Sequence, residues 1–581
     1  MKSLTIVGLK EEKQEVLDGL QTLGCLHLVS LSEKELAEAL DVSDETREAL
    51  QLLQNWHLKN TTPNPASQMS PKEIQERAHQ THSEIVQLQD ELELLVERVG
   101  KLEPWGDFSF DSLENMGGLS LWFYLVPHHE VQKLEGAERV WQQVGKDSRH
   151  SYIVVVSAEE PMGVPGERQH LGGRSLAELR KREEEVRNSI SELQLAGAEL
   201  ARELPVFQNH VHELQDISSL KRASKMSFTK GKFFGVLAWV PESEVEKVAA
   251  FVRERELVHI FRDPNEDEVP PTLFKNPPAW EVGESLIGFY MTPNYRLWDP
   301  SFIVLYSFAI FFAMILSDAG YGIVMAVLLA VLWKKLGKGN ARFLCMLLTG
   351  STIIWGMLVG SYFGVEPREH GLLEKMHMLD MGNMQSMMAI SIVVGAVHIM
   401  LSNGVEVWRL RGRVKALAPV GWILTIASGL LAFLGGSIEM LGQLGLWGVG
   451  IGLGMVFLFS GAERDAKLVK RLGGGAMALT KITDMFGNVL SYLRLFALGI
   501  ASAALAGAFN DLAIQAYEGV RGLGVVLALV ILLIGHLLNF ILAIMSGFIH
   551  GLRLNLIEFF NWSVREEGYA YRAFKKKSLN H

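Results

Sequence analysis

Cysteine is nearly absent from this sequence. Only Cys25 and Cys345 occur in 581 residues, far apart, which excludes a disulfide framework and is compatible with a reducing compartment. No G-x-x-x-x-G-K-[ST] phosphate loop, no zinc-spaced Cys/His set and no nucleophile elbow is present, so a catalytic centre, a cofactor and a bound metal are not expected. Excess positive charge is missing too: the net charge is −10, which leaves no footprint for nucleic acid. The opening MKSLTIVGLKEEKQEV turns charged after about nine residues, too soon for a signal segment. The first 300 residues hold no long apolar run and are expected to stay in the cytosol.

Apolar residues nevertheless make up 49% of the chain, because residues 301–564 are a series of long apolar runs. Eight candidate spans fall at 302–316, 319–333, 343–364, 383–407, 416–437, 442–461, 478–516 and 523–562. The first two are short and meet at SDAGYG, 317–322. Basic residues follow the even-numbered spans: Lys334, Lys335, Lys338 and Arg342; Arg409, Arg411, Arg413 and Lys415; Arg464, Lys467, Lys470 and Arg471; and Lys575 to Lys577. By the positive-inside rule both termini face the cytosol.

The cytosolic domain, 1–262, reads as two lobes on a hairpin. SLTIVGL, EEKQEVLDGLQTLG and CLHLVSL form a strand, a helix stopped at Gly24, and a strand. KFFGVLAWV, PESEVEKVAAFVRERE and LVHIF repeat the pattern at 232–261. The two pieces either complete one ferredoxin-like lobe or stand as independent lobes. The proximal lobe is therefore set at 1–69 plus 221–262.

Two arms, 70–103 and 174–220, carry apolar residues at alternating three and four spacing, a coiled-coil signal. The first starts at a capping box with Ser70, Pro71 and Glu73 and runs from Ile74 to Leu102. The second runs from Leu176 to Leu214, with a kink expected at Pro205. Between them a distal α+β lobe, 104–173, combines LSLWFYLVP, a helical stretch near VQKLEGAERVWQQV, and HSYIVVVSA. The intervening lobe favours an intrachain antiparallel hairpin over a dimerisation coiled coil. A Pro-rich linker, 263–300, leads into the membrane domain, and 565–581 form a cytosolic tail. The fold class is a polytopic α-helical membrane domain fused to a cytosolic α+β domain with two lobes and a coiled-coil hairpin.

Spans seven and eight stand apart. Each carries one arginine, Arg494 and Arg553, at a depth where a permanent guanidinium costs at least about 3 kcal/mol. Residues 480–510 would make about 46 Å of helix, so strong tilt is expected, and two such helices can cross with their arginines close together. Asp484, Gly487, Ser491, Arg494, Ala497, Ala501, Ala504 and Ala508 share one face of span seven, small enough for close helix contact. For the alanines alone a static helix interface is as good a reading. His536, Asn539, Ser546, His550 and Arg553 make a polar stripe on span eight, read as a hydrated path or a polar seam. A single histidine there would more often be a satisfied core residue. Glu558, about 140° round an ideal helix from Arg553, is either a snorkelling carboxylate or the mouth of an aqueous access path.

SYLRLFALGIA at 491–501, FIHGLRLNLIEFF at 548–560, SDAGYG at 317–322 and VPPTLFKNP at 269–277 together resemble the membrane stator subunit, subunit a or subunit I, of V-type and archaeal-type rotary ATPases. The resemblance spans essentially the whole chain. It implies a non-catalytic subunit in which Arg494 and Arg553 face a rotating proteolipid ring bearing a buried carboxylate. Offset half-channels load and unload that carboxylate, with His550 and Glu558 at polar positions of the same motif. It also implies peripheral stalks bound to the cytosolic lobes, and indirect links to the ring adaptor and catalytic head. Eukaryotic relatives carry a histidine eight residues after the first arginine and an acidic residue ten before the second. Ser502 and Ala543 stand there instead, so the resemblance is to the prokaryotic branch, with a multi-pass protein of the cell membrane. A secondary ion transporter with a cytosolic regulatory strut is the alternative; it requires interrupted helices at matching places in two repeats, and the sequence shows no such pairing.

Overall fold

A computed structural model of the chain describes residues 1–30, 42–57, 69–107, 118–134, 139–171, 174–336, 339–367, 377–379, 383–435, 438–462, 468–519, 522–564 and 566–577. Lys338, Arg464 and Lys467 of the charge argument lie outside these residues. The chain divides into two compact units: Thr5–Ala238 with Lys247–Ile260 and Ala573–His581, and Met1–Leu4 with Trp239–Glu246 and Phe261–Arg572.

The first unit opens with β1 (Lys2–Leu9), α1 (Lys13–Leu23) and β2 (His27–Val29). Gly24 ends α1 at φ 71, a left-handed cap that glycine takes without a Cβ penalty. Next come α2 (Asp44–Trp56), capped by Ser43, and α3 (Pro71–Leu102), whose cap Ser70 accepts from the Glu73 amide. The small sheet of β3 (Ser120–Pro127), β4 (Val140–Lys146), β5 (His150–Ser157) and β6 (Glu167–Gln169) has the order β4-β5-β3-β6.

Here the expected helix near 131–144 is corrected over 131–134 and 139–144, residues 135–138 lying outside the described residues. A 3-10 segment covers His128–Leu134, and Val140–Lys146 is a strand pairing antiparallel with β5. Trp141 and Val144 suit a pleated surface better than a helix. Asp147 fixes the hairpin by accepting from the Arg149 and His150 amides, both at 2.7 Å, and these bonds hold its carboxyl down to about 2.

Helices α4 (Leu176–Leu200) and α5 (Leu204–Met226) follow, separated by a 3-10 turn at Ala201–Glu203. Pro205 therefore starts a new helix rather than kinking one, as fits a residue with no amide to donate. Near its C-terminus α3 packs Leu95 and Leu102 with Leu176, Leu179 and Val186 of α4; near its N-terminus it packs Ile74 and Ala78 with Phe207 and Val211 of α5. The sequence order is reversed, so α3 runs against both. Arg182 reaches Glu91 at 2.8 Å across this seam.

The unit closes with β7 (Phe228–Lys230), β8 (Phe233–Val240), α6 (Val245–Glu254) and β9 (Val258–Arg262). The sheet order is β2-β8-β1-β9, so the two distant βαβ pieces interleave in one sheet in the ferredoxin-like manner. The tail joins the same unit: the Phe574 amide donates to Leu26 O at 2.6 Å, and Lys576 meets Asp18 at 2.8 Å.

The second unit holds α7 (Glu281–Gly288), α8 (Ser301–Leu316), α9 (Ala319–Leu332), α10 (Asn340–Val359), α11 (Met384–Arg409), α12 (Leu417–Leu434) and α13 (Glu439–Phe459). The apolar run after them is not one long helix. It breaks into α14 (Leu468–Leu479), α15 (Ile482–Ser491) and α16 (Leu493–Gly519). The cause at the second break is packing: fully buried Tyr492 reaches His398 Nδ1 at 2.7 Å with its hydroxyl and lies against Gly395. The final run is α17 (Gly524–Arg553), a π-helical segment (Leu554–Phe559) and α18 (Phe560–Ser563).

Among the described residues six helical stretches are long and apolar enough to cross a membrane, and α8 and α9 are shorter apolar helices. At 16 residues, α8 rises about 24 Å, less than a hydrocarbon core of about 30 Å. It is buried almost all round, with Phe308 and Phe312 against Gly551 and Gly547 of α17 and Met314 against Gly499 of α16.

Close backbone approach also fixes α10. A Cβ on Gly356 would stand 2.1 Å from Ala319 N, whereas one on Gly350 would meet nothing within 4 Å. Gly356→Ala is therefore expected to cost about 1–3 kcal/mol and to lower the thermal midpoint of the purified full chain. Gly350→Ala serves as the control and should leave it unchanged; equal midpoints for the two variants would contradict the packing.

Candidate functional site

Arg494 stands in the first turn of α16, just after the break that buried Tyr492 enforces, and Arg553 is the last residue of α17. Both reach the same carboxylate. Glu558 Oε1 lies 3.8 Å from Arg494 Nη1 and 3.8 Å from Arg553 Nε. The Glu558 side chain is 3% exposed, against 24% for Arg494 and 50% for Arg553. On a regular helix Glu558 would point well away from Arg553. The π segment corrects that expectation, because hydrogen bonds from i to i+5 bring the fifth residue back over the first.

Polar side chains hold this irregular turn. Ser402 Oγ donates to Phe559 O at 3.1 Å, Asn555 Nδ2 donates to Gly551 O at 3.1 Å, and Ser307 Oγ donates to Asn555 Oδ1. His398, bonded to Tyr492, stacks on Phe559 at 4.4 Å. One pair thus braces both the break before Arg494 and the segment carrying Glu558. None of Ser307, His398, Ser402, Tyr492 or Asn555 stood out in the sequence as a site residue.

The ion triad is loose. At 3.8 Å each attraction is gross about 4 kcal/mol at an effective dielectric of about 20, similar to the insertion cost of an arginine. Neither contact is a hydrogen bond at that distance. Arg494 Nη1 and Glu558 Oε2 have no hydrogen-bond partner among the described residues. Two guanidinium groups and one carboxylate leave one net positive charge.

The other predicted residues divide by surroundings. His536 and Asn539 belong to a closed network: His536 Nδ1 meets Tyr321 OH at 2.9 Å, His536 Nε2 meets Asn510 Oδ1 at 3.0 Å, and Asn539 Nδ2 donates to Tyr321 OH and to Ser502 O at 2.9 Å. Buried Asp318 anchors Tyr321 by capping α9 and accepts from Ser361 Oγ and the Phe363 and Gly364 amides. His550 lies half-buried in the last turn of α17, its Nδ1 without a hydrogen-bond partner among the described residues, and Ser546 is half-buried one turn before it. Ser491 ends α15 and donates to Gly487 O, while Asp484 is exposed in the first turn of α15. Ala497, Ala501, Ala504 and Ala508 all face outward from this chain.

No family model matches the chain. Curated relatives do. V-type ATP synthase subunit I of Borreliella burgdorferi is 24% identical over 620 residues, covering 99% of each chain. The same subunit of Chlamydia muridarum is 26% identical, covering 97% of each. A-type ATP synthase subunit I of Methanocaldococcus jannaschii is 28% identical over 69% of this chain and 63% of the relative. This chain is a homologue of subunit I of V-type and A-type ATP synthases. It is a multi-pass membrane protein. A solved cytoplasmic N-terminal domain of subunit I, homolog of subunit a, of V-ATPase aligns with 45% of this chain and 100% of that chain at 17% identity and a TM-score of 0.23, which is too low to bear on the fold.

In this subunit I homologue, removing the shared charge with Glu558→Gln leaves two like charges facing each other. The expected cost is about 3–5 kcal/mol, read as a lower unfolding midpoint of the full chain in nanodiscs. Adding Arg494→Gln should recover a large part of it. The same cost for Glu558→Gln with and without Arg494 would mean that the two groups are not coupled.

Proposed function

We propose that the chain is the non-catalytic membrane stator subunit of a rotary V/A-type ATPase or ATP synthase, forming ion half-channels against a proteolipid ring and anchoring peripheral stalks through its cytosolic lobes. The observation that carries this reading is the net positive triad of Arg494, Arg553 and Glu558 at the edge of an outward face of small residues on α16. A ring carboxylate moving past that face would bring the missing negative charge. The fixed guanidinium groups favour its ionised form, so it must release its bound H⁺ or Na⁺ before passing. Glu558 keeps the arginines compensated between passages, and the loose contacts of the triad let a second carboxylate enter.

The fold also supports the proposed orientation. Residues 573–577 join the compact unit that holds the N-terminal lobe, so the membrane segment leaves and returns on one side and crosses an even number of times. Both six and eight crossings satisfy that. The basic residues after α11 and α13 then mark the cytosolic side.

Arg494→Ala or Arg553→Ala in the assembled complex is expected to abolish ATP-driven charge movement into reconstituted vesicles while subunit composition stays intact. A potential-sensitive dye reads either ion. Coupled transport at the unsubstituted rate in either variant would refute the stator role of these arginines.

A further inference from the structure

An apolar cavity of about 340 Å³ lies where α7, the first turns of α10 and the last turns of α17 meet. Val282 and Leu286 of α7, Leu344 of α10, and Phe548 and Leu552 of α17 form its walls. Its size falls in the range of sites that take small molecules, about 300–1,000 Å³. Among the described residues no charged side chain lines it. Ser285 and Asn340 are its polar members, and both already bond within the protein: Ser285 Oγ donates to Glu281 O at 3.2 Å, and Asn340 Nδ2 donates to Glu281 Oε2 at 3.1 Å. Little remains to hold a polar ligand, or water, which needs about two to four polar partners. The walls suit an apolar occupant.

The place of the cavity in the fold selects that occupant. Helices α10 and α17 are long and apolar enough to cross a membrane, and at about 100° per residue Phe548 projects from the side of α17 opposite Asn539, Ser546 and His550. On that side Ile541 and Met545 are exposed, so the cavity continues the apolar surface that α17 offers to lipid. Its surroundings have the character of a membrane–water boundary. Phe289, in the lining, is 85% exposed, and Tyr290 beside it is 54% exposed. One residue past Ala341, which also lines the cavity, Arg342 stacks over Trp333 at 4.8 Å. Aromatic and basic side chains gather at that depth.

We infer that an acyl chain of a membrane phospholipid fills this cavity. A chain seated there packs between α7 and the turns of α17 that end at Arg553, and so fastens the helix of the linker to the membrane helices through lipid. The inference rests on α10 and α17 crossing a membrane and not on the rotary reading. An apolar side chain of a partner protein is the competing occupant, and the assembled complex distinguishes the two.

Photolabelling of the full chain in nanodiscs, with a phospholipid that carries a diazirine on one acyl chain, tests this. Leu552 and Val282 are 8% and 4% exposed, so lipid reaches them through the cavity. Label is expected at both, as well as at exposed Met545. Ser285→Phe and Ala341→Phe each set a ring at the cavity, and each should abolish the label at Leu552 and Val282 while Met545 stays labelled. Two separate fillers keep the test decisive if one of them disturbs folding. Label at Met545 with none at Leu552 or Val282, or label at those two residues unchanged in both filled variants, would overturn the site. Label that appears in the isolated chain and disappears in the assembled complex would overturn the lipid assignment and identify a partner side chain instead.

Discussion

One buried carboxylate shared by two guanidinium groups is the constraint around which the membrane helices are arranged. Neither arginine can lose its charge, and Glu558 can reach both only because the chain winds as a π segment from Leu554 to Phe559. That winding weakens local backbone geometry, so it must be held from outside. Ser307, Ser402 and Asn555 satisfy polar groups along it, and His398 stacks on Phe559 while bonding the tyrosine that breaks the partner helix. The irregularities in the last two helical runs share one brace. Interrupted helices are common in transporters, but here they sit in consecutive runs and not in matching halves of a repeat, unlike the pattern of a secondary transporter.

A second layer keeps the brace in place. Short α8 lies buried among longer helices; Gly547 and Gly551 on α17 let its aromatic rings approach, and Gly499 on α16 lies against its last turn at Met314 O. Farther along α17, Asp318, Tyr321, His536, Asn539 and Asn510 form a hydrogen-bonded seam. Its groups are largely satisfied by one another, which suits a rigid scaffold. His550 and the arginine triad, with unpartnered atoms and partial exposure, differ from it in that respect.

Much of this was legible from residue patterns. Gly24 and the cap at Ser70 marked helix ends that the structure has, the heptad positions from Ile74 to Leu102 supply the buried seam of α3, and intramembrane charge singled out both arginines. Three features were not legible, for physical reasons. A π turn has no composition signature, so a 3.6-residue period rotated Glu558 away from Arg553. The break at Tyr492 comes from a tertiary contact with His398, ninety-four residues away, which no local pattern carries. The strand at Val140–Lys146 has a helix-like local sequence, and its pairing with β5, which is not local, decides the matter.

The central claim is that the small-residue face beside Arg494 meets a moving carboxylate-bearing helix. Ala497 lies outward, about one turn from Arg494. Disulfide cross-linking of Ala497→Cys to a cysteine set one turn from the ring carboxylate tests the claim most directly. The expected result is a cross-link that forms in the assembled complex, stops ATP-driven ion transport and is reversed by reductant. No cross-link in an intact complex, or one that leaves transport running, would contradict it.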